Sequence, residues 1–379
     1  MHESLAAAPI SLRRLEMIEA VVPQFESFRS AVGVRRDRRV LFLRWWDREG
    51  NWGIGECSCR PDPHYSAEFN EAVKRLIESY LFERLPVEGS VGDVVMALSV
   101  IRGWPFGRAA LADAMLDLIR RRGGRDALDA LPTRVDEVPA GISLGIFDSA
   151  SEAVARVDDA LARGYRRVKL KVHPAMDLEP LAAVRESAPG APLAFDANGS
   201  CTRTDLHSFL PALAALEPLF IEQPFGPRRL DLCVELKRRQ PGTRICLDES
   251  VEERGDLLIA YQLGAIDELN LKPGRVGGQL AAIELLAECD RLGVPVWIGG
   301  MFETGVGRFA NLRLAARLAG AAAHDLSPSS RYFPRDVVAA PLEMSAQGTI
   351  PLIAESPVAL DEDALRELTC DRIVLEKAG

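Results

Sequence analysis

Five side chains in this sequence are of types that could do chemistry together: Lys171, Asp196, Glu222, Asp248 and Lys272. Each ends a short apolar run, and the runs recur at intervals of about 26 residues, as repeated strand-helix units do. Alternate side chains of a strand point to opposite faces, so each run can be sorted. In Tyr165–Val172 the residues Val168, Leu170 and Val172 form one apolar set and leave Lys169 and Lys171 on the other face. Leu193 and Phe195 likewise leave Asp196 and Asn198, Leu219 and Ile221 leave Glu222, and Ile245 and Leu247 leave Asp248. Leu269 and Leu271 leave Asn270 and Lys272. If the apolar sets face helices, the polar sets share one interior, with three carboxylates side by side and lysines on both flanks.

Such a row needs compensation. Three carboxylates at the mouth of a largely apolar interior repel one another and lose hydration, and a divalent cation relieves both penalties. Oxygen ligands without a nearby His or Cys favour a hard ion over zinc, so Asp196, Glu222 and Asp248 are candidate ligands for Mg²⁺, with Mn²⁺ the alternative. Any one of these side chains alone reads as a strand-end salt bridge; five in one register read as a site.

The elements that must position them follow from the same periodicity. Strands are expected at 138–144, 167–172, 193–196, 219–222, 244–248, 267–272 and 295–299, with helices between them. Parallel strands in series with right-handed crossovers close into a barrel whose active site lies at the C-terminal strand ends, where all five residues fall. A doubly wound sheet fits less well, since no Gly-rich phosphate loop follows the first strand. The fold class is therefore α/β: a modified (β/α)7β TIM-type barrel over 136–340.

Residues 1–135 read as a separate α+β capping domain. Val40–Trp46, a turn at Asp47–Gly50 and Trp52–Gly55 form a hairpin, while 67–84 and 107–121 carry apolar positions at helical spacing. Loops near 25–33 and 60–66 could close over the barrel as lids, and His64 in the second reads as a surface residue. The segment 341–379 is expected to pack back on the cap.

Composition narrows the partners. With 46 basic against 55 acidic residues the net charge is −9, which argues against a nucleic-acid or anionic membrane surface and for a small-molecule substrate. The seven cysteines are odd in number and scattered, so a reducing cytoplasm fits better than a secreted disulfide framework. Cys57 and Cys59 lack the further ligands of a zinc site and read as structural. Neither a signal peptide nor a run of about 18 apolar residues is evident.

Several motifs resemble a known family. Lys169-Leu-Lys171, Asp196-Ala-Asn198, Ile221-Glu-Gln-Pro224, Leu247-Asp-Glu-Ser250 and Asn270-Leu-Lys-Pro-Gly-Arg275 are similar to those of the enolase superfamily, muconate-lactonising subgroup. Gly299-Gly-Met-Phe-Glu-Thr-Gly-Val-Gly-Arg308, Asp325–Phe333 and Pro63–Phe69 narrow the resemblance to its o-succinylbenzoate synthase and N-succinylamino acid racemase branch. Gly199 and Ser200 replace a larger pair, and Ile298 stands where a Cys is common in that branch.

The resemblance implies a Mg²⁺-dependent enzyme that removes the proton beside a carboxylate. Lys171 would be the base and then the acid that helps a β-hydroxyl leave, in menaquinone biosynthesis. A base must be neutral near pH 7, and burial, the metal, Lys169 and Lys272 could lower its proton affinity. Lys272 would stay cationic in a synthase, or exchange a proton on the opposite face in a racemase. Ser143, Asn198, Met301 and Glu303 are the expected substrate contacts, with Glu249 and Asn270 beside the ligands and Arg275 tuning Lys272. A homo-oligomer is compatible with this reading. Two other readings are a catalytically silent metal-binding barrel, which needs no inward lysines, and a Schiff-base aldolase, which needs no row of carboxylates.

Overall fold

A computed structural model describes residues 3–30, 33–320, 323–352 and 357–378. The N-terminal part is built on a four-stranded antiparallel sheet. Strand Arg14–Ser30 pairs with Gly33–Trp46, with an irregularity between Pro23 and Phe28, and Leu41–Trp46 pairs with Trp52–Cys57. The C-terminal strand Thr369–Glu376 adds to the free edge of Arg14–Ser30. Helix Pro105–Arg121 lies across this sheet, and Gly53 and Gly55 allow the contact: a Cβ at Gly55 would overlap the Ala110 carbonyl oxygen. Gly55→Ala is therefore expected to destabilise the protein by about 1–3 kcal/mol through overpacking. Thermal unfolding measures this, and an unchanged melting temperature would show that the helix can retreat without cost.

Residues 25–33, read as a lid loop, lie at the end of the long hairpin, with 31 and 32 outside the described residues. Arg35 to Arg39 are five charged residues in succession, so no two-residue alternation marks the strand in the sequence. The hairpin reaches the barrel: Phe25 N donates to Tyr332 O at 2.9 Å, and Arg29 O accepts from Ile146 N at 3.2 Å.

Seven parallel strands form the second part: Gly141–Leu144, Arg167–Lys171, Leu193–Asp196, Ile221–Glu222, Ile245–Leu247, Glu268–Leu271 and Val296–Ile298. Each neighbours the next in chain order. The circle closes through a short eighth segment, where Asp325 N donates to Ile298 O at 2.9 Å and Gly141 N donates to His324 O at 2.6 Å. This is a (β/α)7β barrel.

The first strand differs from the expected 138–144. Glu137–Pro139 pairs antiparallel with Thr349–Pro351, and only Gly141–Leu144 joins the barrel, because the returning chain supplies 137–139 with a partner of its own. Val168, Leu170, Phe195, Ile221, Leu247 and Leu271 are fully buried in one large cluster with the helices. At roughly 1.5–3 kcal/mol for each buried large apolar side chain, this layer fixes strand parity. Ala194, Phe220, Cys246 and Trp297 form a separate small cluster. They share the parity of the lysines and carboxylates and so fill the interior beneath them.

Candidate active site

Lys169 in the middle of strand Arg167–Lys171 and Lys171 at its end lie on the face opposite Val168 and Leu170. Lys171 Nζ donates to Asp196 Oδ2 at 2.6 Å and to Asn198 Oδ1 at 2.9 Å. Lys169 Nζ donates to Glu222 Oε2 at 2.8 Å and meets Asp325 Oδ2 at 2.7 Å. Across the row, Lys272 Nζ donates to Asp248 Oδ2 at 2.8 Å, and the Arg275 guanidinium pairs with the other Asp248 oxygen. Asn270 Nδ2 donates to Glu222 Oε1 at 2.8 Å, and Asn198 Nδ2 to Glu249 Oε1 at 3.1 Å. The backbone supports this arrangement: Gln223 Oε1 accepts from Asp248 N at 3.0 Å and Ser250 N at 3.1 Å.

Burial sets the electrostatics. Asp196, Glu222 and Asp248 are all within 1% of full burial. Burial and then the charge of Asp196 push the Glu222 carboxyl up to about 8, with Lys169 pulling it down. Burial, followed by the charge of Asp248, raises Glu249 to about 7. Burial also acts against ionised Asp248 and Asp196, but the cations win: Arg275 and Lys272 hold Asp248 low, and Lys171 and Lys169 hold Asp196 low. For Lys169 and Lys272 burial opposes the charged form, yet Asp325 with Glu222, and Asp248 with Tyr65, keep these amines above the ordinary lysine range. Both are therefore cations in this arrangement, the opposite of what a resting base requires.

Three buried carboxylates, one raised above neutrality among like charges, form an all-oxygen donor set that fits a hard divalent ion. Each is turned toward its own cation. Among the described residues the one group with three ligating atoms within 4.8 Å of one another is Glu19, Glu71 and Asp371, so the barrel carboxylates stand wider than that. The Glu19 group is an ion cluster rather than a metal site, since Lys74 Nζ reaches Glu19 at 2.9 Å and Asp371 at 2.8 Å.

One cavity is lined by Lys169, Lys171 and Lys272 together with Ser143, Asn198 and Met301. The Ser143 hydroxyl is buried without a hydrogen-bond partner. Glu303 does not line it. Its carboxylate turns back to accept from Met301 N at 2.8 Å and Asn311 Nδ2 at 3.2 Å, which corrects the expected substrate contact: the backbone it braces outcompetes the open cavity. Arg275 touches Asp248 rather than Lys272, so any effect on the lysine passes through the shared carboxylate.

Among the lining residues that were not expected contacts are Asp325, Tyr65 and Tyr332. Asp325 sits on the short closing segment and pairs with Lys169 and Arg167. A two-residue bridge carries no periodic signal. Tyr65 comes from the cap, its hydroxyl 3.2 Å from Lys272 Nζ, and Tyr332 meets Phe302 edge-on at 5.0 Å between ring centroids. The motifs Pro63–Phe69 and Asp325–Phe333 contain all three, and that was the only available signal.

The family model described as Enolase C-terminal domain-like matches residues 152–367, more than half of the chain. An N-succinylamino acid racemase of Amycolatopsis sp. is 36% identical over 366 residues, covering 93% of this chain and 96% of its own. An o-succinylbenzoate synthase of Enterococcus faecalis is 33% identical over 344 residues, covering 90% and 93%. A solved enolase-superfamily member from Listeria innocua superposes with a TM-score of 0.88 at 28% identity, covering 97% of this chain and 99% of that one.

Proposed function

The chain belongs to the enolase superfamily, in the branch of o-succinylbenzoate synthases and N-succinylamino acid racemases, and from that membership we propose that it removes the proton beside a substrate carboxylate. The reading supported best is the synthase: dehydration of 2-succinyl-6-hydroxy-2,4-cyclohexadiene-1-carboxylate to o-succinylbenzoate, a step of menaquinone biosynthesis. One observation carries it. The amines of Lys171 and Lys272 line a single cavity from the two ends of a row of buried carboxylates. The second reading, racemisation of N-succinylamino acids, is favoured by the 36% identity to such a racemase.

In this mechanism Lys171 Nζ, oriented by Asp196 and Asn198, takes the α-proton. The same proton then goes from Lys171 to the departing hydroxyl, which leaves as water. Lys272, held by Asp248, stays cationic and stabilises the charge that builds on the substrate. Asp196, Glu222 and Asp248 would hold Mg²⁺ or Mn²⁺, which would supply positive charge to the substrate carboxylate as its second negative charge develops. Ser143 offers its unpaired hydroxyl to the substrate. The loop carrying Tyr65 lies against the cavity and would serve as part of its cover, with the hairpin, which contacts Tyr332 of the cavity wall, beside it.

Among the described residues no helix is long and apolar enough to cross a membrane. A small-molecule carboxylate in the cytoplasm remains the proposed setting.

Parallel kinetics with Mg²⁺ on the cyclohexadiene carboxylate and on N-succinylamino acids test the reading. The synthase substrate is expected to turn over with kcat/KM of about 10⁴ M⁻¹s⁻¹ or more. Chelation is expected to abolish that turnover and Mg²⁺ to restore it. If neither substrate lost its α-proton in D₂O, the proposal would be overturned.

A further inference from the structure

Strand Trp52–Cys57 of the cap ends beside the loop that brings Met301 and Phe302 to the cavity, and one carboxylate joins the two. Glu56 is 6% exposed and Thr304 is fully buried. Both Glu56 oxygens accept from Thr304 N at 3.1 Å, and Oε2 also accepts from Thr304 Oγ1 at 2.7 Å and Gly307 N at 3.0 Å.

A cap for the following helix would not require this. Asp336 already accepts from Gly305 N at 3.0 and 2.9 Å, and Thr304 Oγ1 accepts from Val306 N. What Glu56 adds is a hold on the loop just after Phe302. Phe302 has φ of +61°, a left-handed conformation that a bulky residue keeps only where its surroundings enforce it. Its neighbours are fixed on both sides, Met301 N by Glu303 and Thr304 N by Glu56.

We propose that Glu56 is a positioning residue: from the cap, it fixes the Met301–Phe302 wall of the cavity and thereby sets how well substrate is bound. Its kinetic readout rests on the proposed reaction, while its structural readout does not. Met301 and Phe302 carry no group that moves a proton, so loss of the tie acts on binding rather than on the chemical step.

The experiment pairs Glu56→Gln, which keeps the size of the side chain but replaces one of its two accepting oxygens with a donor amide, with Thr304→Val, which removes the hydroxyl contact from the barrel side. Deuterium exchange of amides 299–307 in the free protein is expected to accelerate about ten-fold in Glu56→Gln, since the donors of Thr304 and Gly307 lose an accepting oxygen. KM is expected to rise about ten-fold with kcat within about three-fold of wild type. The double variant is expected to lose less than the sum of the two single variants, because Glu56 and the Thr304 hydroxyl share one hydrogen bond, while the cap of Thr304 on Val306 N is lost only with Thr304→Val. Unchanged exchange, or faster exchange with unchanged KM, would overturn the proposal, as would a fall in kcat alone. If the wild type acted on neither substrate, the proposed reaction would fail, and the exchange data alone would decide whether Glu56 holds the loop.

Discussion

Lys171→Ala is expected to lower dehydration by about 10³–10⁴-fold, the upper part of the range for a positioned general base. The same variant is expected to abolish α-proton exchange in D₂O, followed by loss of the proton signal in NMR. The reason is geometric. Lys171 Nζ stands at the cavity with Asp196 at 2.6 Å and Asn198 at 2.9 Å. Lys169 cannot substitute, because its amine is engaged with Glu222 and Asp325. Asp196 remains near Lys169, at 3.8 Å, when Lys171 is removed, so its buried charge is not abandoned and the fold is expected to survive. A Lys171→Ala enzyme retaining more than a tenth of the wild-type rate would remove Lys171 from the role of base.

Lys272→Arg is expected to divide the two readings. Arginine stays protonated under all ordinary conditions, so it can supply a cation but cannot take a proton. Dehydration is expected to fall by no more than about ten-fold, and racemisation of N-succinylamino acids by about 10³-fold, since only the latter needs a titrating group on the second face. Kinetics of both reactions on one preparation check this. Full racemase activity in Lys272→Arg would contradict the division of roles. Lys272→Ala is expected to impair both reactions, with Asp248 still partnered by Arg275 in that variant.

The sequence by itself determined which side chains face inward. Strand alternation is a consequence of covalent geometry, so Val168 and Leu170 on one face place Lys169 and Lys171 on the other wherever the strand lies. The order Lys, Asp, Glu, Asp, Lys around the mouth followed from the same local rule, and the oxygen-only donor set from residue type alone.

Tertiary structure decided what no local period encodes. Glu303 lies two residues from Met301, yet only the packed loop shows its carboxylate spent on the Met301 amide rather than on the cavity. The closing segment at His324 and Asp325 is too short for a periodic signal, and its place between the last and first strands is fixed by the closing of the barrel. Tyr65 meets Lys272 across more than 200 positions of chain, because the cap folds over the barrel. Alternation acts between neighbours along the chain, whereas these contacts arise from burying whole elements against one another, and many sequences satisfy the first without specifying the second.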